Sequence, residues 1–252
     1  MHLRRRSATV DEENPYWMSF SDIMSALLII FILASVVLII QLMEIQQELE
    51  KRQKEFDQEL VLLKKAESVR RTILHETAEV LNQKGIRVSV SENDTVLSIP
   101  NEILGFDTGA YELRNRYQST AREIGQVLSS VIQKEGRVEF LDTIFVEGHT
   151  DNRPLNGFMG KGNWGLSSFR AISLWQFWSS QLQTGYQLHN LVNQDGTPLF
   201  SVSGYAETRP VTEIQTTEDE YRQNRRIDIR FTIRRPSSTD YQAVKQRIGT
   251  TE

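Results

Sequence analysis

Near the N-terminus an aspartate stands inside an apolar run: Tyr16-Trp17-Met18-Ser19-Phe20-Ser21-Asp22-Ile23-Met24-Ser25-Ala26, continuing to Ile40 with no charge after Asp22. A carboxyl group at the centre of a membrane span costs roughly 2.5–3.5 kcal/mol on insertion scales, so it is rare without a task. The chemistry open to it there is reversible loading with a cation, and Asp22 reads as an ion carrier. A blander reading stands beside it. Asn14-Pro15 has the residue types of a helix start, with Asn as N-cap and Pro at the first helical position. Asp22 then lies two turns inside, about 10 Å from the helix start at 1.5 Å per residue. An aspartate near a helix N-terminus is also favoured by the helix dipole.

A second group of chemistry-bearing residues lies in the C-terminal half. Gly148-His149-Thr150-Asp151 follows a β-rich run. Asn163-Trp164-Gly165-Leu166-Ser167-Ser168-Phe169-Arg170-Ala171 opens a helical pattern. Gly204-Tyr205-Ala206-Glu207-Thr208-Arg209-Pro210 follows another strand, and Asn224-Arg225-Arg226-Ile227 opens the last. Together they bring an acid, arginines, amides and helix N-terminal donors to loop ends on one side of a sheet. A carboxylate there takes an ammonium, and a guanidinium forks onto a carboxylate, so the set suits a zwitterion. His149 and Asp151 could also suggest a hydrolase, but neither a nucleophile motif nor a metal-ligand set accompanies them. Taken singly, each piece has a plain structural explanation: a Thr-Asp turn, or surface serines.

The bulk numbers narrow the classes. The chain has 252 residues and a formal charge of −4, which argues against a general nucleic-acid binder. It has no cysteine, which excludes disulfides and thiolate metal sites, and its four histidines match no zinc spacing.

The elements that position these residues follow from the pattern. Residues 1–14 read as a short charged tail. Residues 15–43 read as a transmembrane helix, long enough for the ~20 residues a bilayer needs, with Tyr16 and Trp17 at an interface. Arg4, Arg5 and Arg6 on one side, against Lys51, Arg52 and Lys54 on the other, give a slight vote for a cytoplasmic N-terminus. Residues 44–84 are rich in Glu, Gln, Lys and Leu without Gly or Pro, as a helical stalk would be. Leu42, Leu49, Phe56 and Leu63 recur every seven residues, and Ile45, Ala66 and Ile73 fit the companion position. Arg52 and Glu59 interrupt that seam. A dimeric coiled coil is one outcome; a single amphipathic helix against a neighbour is the other. Gly85 breaks the pattern. From there strands are expected at Ile86–Val90, Thr95–Ile99, Thr143–Glu147, Phe200–Val202 and Ile227–Ile233, and helices at Leu113–Gln133 and Leu166–Gln181. That alternation predicts an α+β domain of the βαβαβ type over residues 85–235. A loose tail follows over residues 236–252.

These motifs carry a resemblance. Residues of about 85–235 resemble the OmpA-like peptidoglycan-binding domain, through Gly-x-Thr-Asp, Asn-x-x-Leu-Ser-x-x-Arg-Ala and the late Asn-Arg-Arg. The Asn-Trp-x-Leu-Ser form is similar to the MotB stator subunits in particular. The resemblance implies that Asp151 and Arg170 hold the diaminopimelate of a wall stem peptide, with Thr150, Asn163, Leu166 and Arg226 beside them. The segment Arg153–Gly162 is longer than in most outer-membrane members. The N-terminal run Asp22-Ile23-Met24-Ser25-Ala26-Leu27-Leu28 resembles the MotB-type ion-carrying span, with Phe20-Ser21 where Tyr-Ala is usual. The start Asn14-Pro15-Tyr16-Trp17 and the Glu/Gln/Lys stalk look more like ZorB of the Zorya anti-phage defence systems. The resemblance implies a non-enzymatic subunit of an ion-driven rotary motor. It would be a homodimer held by MotA/ZorA-type membrane subunits, five around two, anchored to peptidoglycan. It would sit in the bacterial inner membrane with its C-terminal domain in the periplasm. No cofactor is implied beyond the transported H⁺ or Na⁺. The alternatives are a flagellar MotB, or a passive membrane-tethered wall anchor.

Overall fold

A computed structural model describes residues 15–158 and 160–235. The expected tails, 1–14 and 236–252, and the capping role of Asn14 lie outside the described residues. The chain divides into two compact units, Met1–Asp57 and Gln58–Glu252.

One helix, α1 (Pro15–Gln83), runs through 69 residues. Its opening at Pro15 fits a residue whose missing N–H costs nothing in a first turn. It contains an 18-residue window of mean hydropathy 3.2, long and apolar enough to cross a membrane. In the first unit the side chains of Ile23, Leu27, Ile30, Phe31, Leu33 and Ile40 all face outward. Farther along, the same helix behaves differently. Ala66, Ile73, Leu74, Ala78 and Leu81 are buried in the core of the second unit. The compact domain therefore begins inside the helix, well before Gly85, where the change of sequence pattern placed its start. Two residues of the expected coiled-coil seam, Ala66 and Ile73, are committed to this core. Leu42, Ile45, Leu49 and Phe56 remain exposed.

The second unit is α+β. Its five-stranded sheet has the order β1-β2-β5-β3-β4. The strands are β1 (Ser89–Val90), β2 (Val96–Pro100), β3 (Leu141–His149), β4 (Phe200–Gly204) and β5 (Arg226–Ile233). Only β3 and β4 pair in parallel; the other pairings are antiparallel. Helices α2 (Asn101–Leu104), α3 (Gln118–Gln133), α4 (Gly162–Gln181) and α5 (Glu218–Asn224) complete the unit. The short helices α2 and α5 were not anticipated. α4 begins four residues earlier than its apolar pattern suggested, and α3 five residues later, after a tight turn at Asn115–Tyr117.

The alternation along β5 explains the layers, because successive strand residues face opposite sides. Ile227, Ile229 and Phe231 are buried beside Leu97, Ile99, Ile144 and Val146, and they form one core cluster with Ile124 and Leu128 of α3 and Leu174 and Trp178 of α4. The Trp178 indole N–H donates to the Ala121 carbonyl at 2.7 Å, so this large buried ring leaves no polar atom unpaired. Arg226, Asp228 and Arg230 occupy the opposite face.

Two glycines set the approach of α4. Gly148 and Gly204 are register partners on β3 and β4. A β-carbon at Gly148 would lie 2.0 Å from the Ser167 carbonyl oxygen, and one at Gly204 would lie 2.3 Å from the Ser168 hydroxyl oxygen. Only glycine lets the start of α4 sit directly on the strand ends, and that contact brings its first turns to the loop carrying Asp151.

Candidate functional site

Asp151 lies two residues beyond the end of β3 and is only 7% exposed. Its Oδ2 accepts hydrogen bonds from Arg153 Nη2 and Arg225 Nη1, both at 2.6 Å, with Arg153 Nε at 3.2 Å. Its Oδ1 accepts from the Arg153 backbone N–H at 3.2 Å. Burial alone would raise the pKa of this carboxyl. The hydrogen bonds from Arg153 and Arg225 outweigh burial and hold it below the usual aspartate value. Glu218 at the start of α5 completes the cluster, pairing with Arg225 and, at 3.2 Å, with Arg153 Nη1. Arg153 also lies 4.4 Å over the Tyr221 ring. The start of α5 is fixed by a reciprocal cap between Thr217 and Glu220, whose carboxyl is drawn down to about 2 by the Thr216 and Thr217 backbone and hydroxyl donors.

Arg170 is 3% exposed. Its Nε donates to the Ala110 carbonyl at 2.9 Å and its Nη2 to the Asp107 carbonyl at 2.7 Å, with the Phe106 ring 5.4 Å away. Burial first, then the neighbouring Arg225, lowers its pKa to about 10, while Asp151 acts in the opposite direction. Arg170 is thus in electrostatic reach of Asp151 without bonding it directly.

The other expected residues divide. Asn163 donates to the Asp151 carbonyl at 3.4 Å and the Arg153 carbonyl at 3.0 Å, so it shapes the loop and leaves the carboxylate free of its amide. Leu166 is buried in the first turns of α4. Thr150 donates its N–H to the Ala206 carbonyl at 2.9 Å, and its buried hydroxyl has no hydrogen-bond partner among the described residues. Arg226 does not join the cluster. It pairs with Asp228 through Nε at 3.0 and 3.1 Å and donates to the Arg209 carbonyl at 3.1 Å, on the outer sheet face. Arg225 takes the place expected of it. The sequence carried a usable signal here, because adjacent arginines at a strand entrance face opposite ways. Arg153 and Glu218 had no such signal; only the fold brings them together. Asn224 is structural: buried, it accepts from the Val211 and Thr212 amides at 2.6 and 3.1 Å and donates to the Thr212 carbonyl at 2.8 Å.

A second buried polar group lies on the outer sheet face. The ligand-type atoms of Glu147, His149 and Asp228 fall within 4.8 Å of one another. Arg230 Nε donates to both Glu147 oxygens at 2.8 and 3.0 Å, while Arg226 covers Asp228. His149 Nε2 lies 3.1 Å from Asp228 Oδ2, and its ring stacks on Tyr205 at 5.6 Å. Both carboxylates are already neutralised by guanidiniums, so a divalent cation would face two fixed positive charges. The arrangement is an ion-pair lattice that joins β3 to β5.

In the first unit, Asp22 is exposed on α1. The Ser25 hydroxyl donates to the Ser21 carbonyl at 2.8 Å, and Ser35 does the same to Phe31. These serines satisfy themselves on their own helix.

No family model matches the chain. Motility protein B of Bacillus subtilis (strain 168) is 26% identical over 155 residues, covering 62% of this chain and 51% of that protein. The chain is similar to motility protein B. A relative of nearly the same extent is the uncharacterized protein YtxE of the same organism, 25% identical over 244 residues, 90% of this chain and 92% of its own. Among solved structures, a MotB-like protein from Desulfovibrio vulgaris overlaps 69% of this chain and 99% of its own at 19% identity and a TM-score of 0.49.

Proposed function

We propose that the protein is the B subunit of an ion-driven membrane motor of the MotA/MotB type, anchored to peptidoglycan. What carries the reading is the joint presence, on one chain, of Asp22 in an apolar span and of the buried Asp151 among arginines in a wall-binding type of domain. The first supplies an ion-loading carboxylate, the second a receptor for a ligand bearing both ammonium and carboxylate. Similarity to motility protein B supports this combination. Two copies pair through the exposed faces of α1, and MotA/ZorA-type subunits, five around two, surround the spans in the inner membrane. The N-terminus is cytoplasmic and the second unit periplasmic. Each Asp22 alternates between ionised and H⁺- or Na⁺-loaded states. The wall-bound domain holds the pair still while the surrounding ring turns.

Within this class we assign the chain to the ZorB group of Zorya anti-phage systems, on the Asn14-Pro15-Tyr16-Trp17 start and the charged stalk. The flagellar reading has its own support in the likeness to motility protein B. Deleting the gene separates them: loss of phage resistance with normal swimming supports the defence role, and loss of swimming supports the flagellar one.

The wall-binding half is tested by Asp151→Ala in the full chain. Retention on isolated wall sacculi should fall at least about tenfold, because Arg225 and Arg153 lose their common acid. Retention equal to that of the unaltered protein contradicts the assignment.

A further inference from the structure

The carboxylate that would take a ligand's ammonium is already taken. Two guanidiniums converge on one oxygen of Asp151, and they are not equivalent. The Arg225 side chain is 14% exposed and wedged between Asp151 and Glu218. The Arg153 side chain is 42% exposed and reaches back from the loop after β3. If Arg153 released Asp151 it would not be stranded, because Glu218 and the face of Tyr221 still hold it. Of the two guanidiniums on Asp151, Arg153 is the more exposed, so water can reach its donors once it lets go. Arg225 also keeps Glu218, but at 14% exposed it has little room to swing away. Arg153 and Arg225 share Asp151 and Glu218, while Arg170 faces Asp151 and Asp107.

We propose that Arg153 is an internal competitor for Asp151, a displaceable guanidinium that an ammonium-bearing ligand must push aside before the site accepts it. The proposal rests on the wall-binding reading and adds a selectivity device to it. A ligand with carboxylates alone meets the half-exposed Arg153 guanidinium and gains from it. A ligand that also carries an amine competes with Arg153 for Asp151 and is held back by it. Displaced, Arg153 stays beside the site on Glu218, where it can meet the same ligand's carboxylate. The site thus admits a diamino-dicarboxylic side chain by exchanging one cation for another, and the buried acid is never left unpaired.

The test uses the full-length protein in detergent, unaltered and as Arg153→Gln, whose shorter stem lacks the charge. Calorimetric titration compares meso-diaminopimelate with pimelate, the same carbon chain without amines. Removing the competitor should tighten diaminopimelate binding by roughly three- to tenfold, the factor gained when a fractionally open site becomes fully open. Pimelate should bind more weakly, since a positive charge is lost. Opposite signs for the two ligands separate exchange at Asp151 from a general change of site charge. If the unaltered protein prefers diaminopimelate to pimelate and Arg153→Gln binds it no more tightly, the competitor proposal is overturned and the wall-binding reading stands. If neither protein prefers diaminopimelate to pimelate, both fall together.

Discussion

At the scale of single residues, two buried aspartates hold different parts of the domain. Asp151 gathers the loop after β3 and the start of α5. Asp228 ties β5 to the histidine and arginine on the outer sheet face. For Asp228, burial would raise the pKa, but His149, Arg226 and Ser98 together pull it below the ordinary value. Asp151 is shifted in the same direction. A carboxyl whose native pKa lies below its unfolded value stabilises the fold above the unfolded pKa, about 4, and that contribution is lost as pH falls toward the native value. Stability of the domain should therefore decline as pH is lowered from about 5, measured by thermal unfolding of the full chain. Asp228→Asn should cost about 3 kcal/mol at pH 7, because Arg226 is left buried against a neutral amide. The same variant should flatten the acid decline. A variant as stable as the unaltered protein at pH 7 would mean that the outer-face lattice is not load-sharing.

At the scale of elements, what could be read in advance depended on whether a local period was enough. The alternation of Ile227, Ile229 and Phe231 marked β5 and its core face directly. The apolar run from Ile23 to Ile40 marked a span. The stalk left two outcomes open, because a heptad seam and one face of a helix packed on a neighbour use the same spacing. Ala66 and Ile73 fit both patterns, and only tertiary contact decided for the core. α5 escaped notice because Glu218–Asn224 is short and polar, and its cap, Thr217 to Glu220, is a common four-residue pattern. Asp151 and Arg170 were legible from their motifs, whereas Arg153 and Glu218, 65 residues apart, had no local signature.

Two variants test the element scale. Ile73→Ala should destabilise the domain by about 2–5 kcal/mol through a core cavity. Leu49→Ala, on the same helix but exposed, should leave that unfolding transition within about 0.5 kcal/mol. Equal effects would mean that the end of α1 is not part of the domain core. Gly148→Ala should cost about 1–3 kcal/mol by pushing α4 off the strand ends. It should also weaken retention on wall sacculi, since Asp151 moves with that contact.

At the scale of the whole molecule, the proposed function gives the two units different kinds of work. On the proposed function, the second would hold a ligand with paired charges, and Asp151 and Asp228 are held below the usual aspartate value. The first carries a carboxylate at the head of the apolar run from Ile23 to Ile40, and its proposed use depends on a change of occupancy. The membrane potential supplies about 2.3 kcal/mol per charge per 100 mV. That is comparable to the roughly 2.5–3.5 kcal/mol insertion penalty of a central carboxylate. The two are matched closely enough for the potential to bias the proposed loading and release. Substituting Asp22 should therefore stop transport while leaving wall retention at its original level.

The most direct measurement is potential-driven ion uptake into vesicles holding the protein together with the MotA/ZorA-type subunits proposed as its partners, with Asp22 intact or replaced in Asp22→Asn. The account predicts H⁺ or Na⁺ uptake with the aspartate and uptake at the level of empty vesicles with asparagine, both proteins being equally inserted and assembled. Undiminished uptake through Asp22→Asn would contradict it.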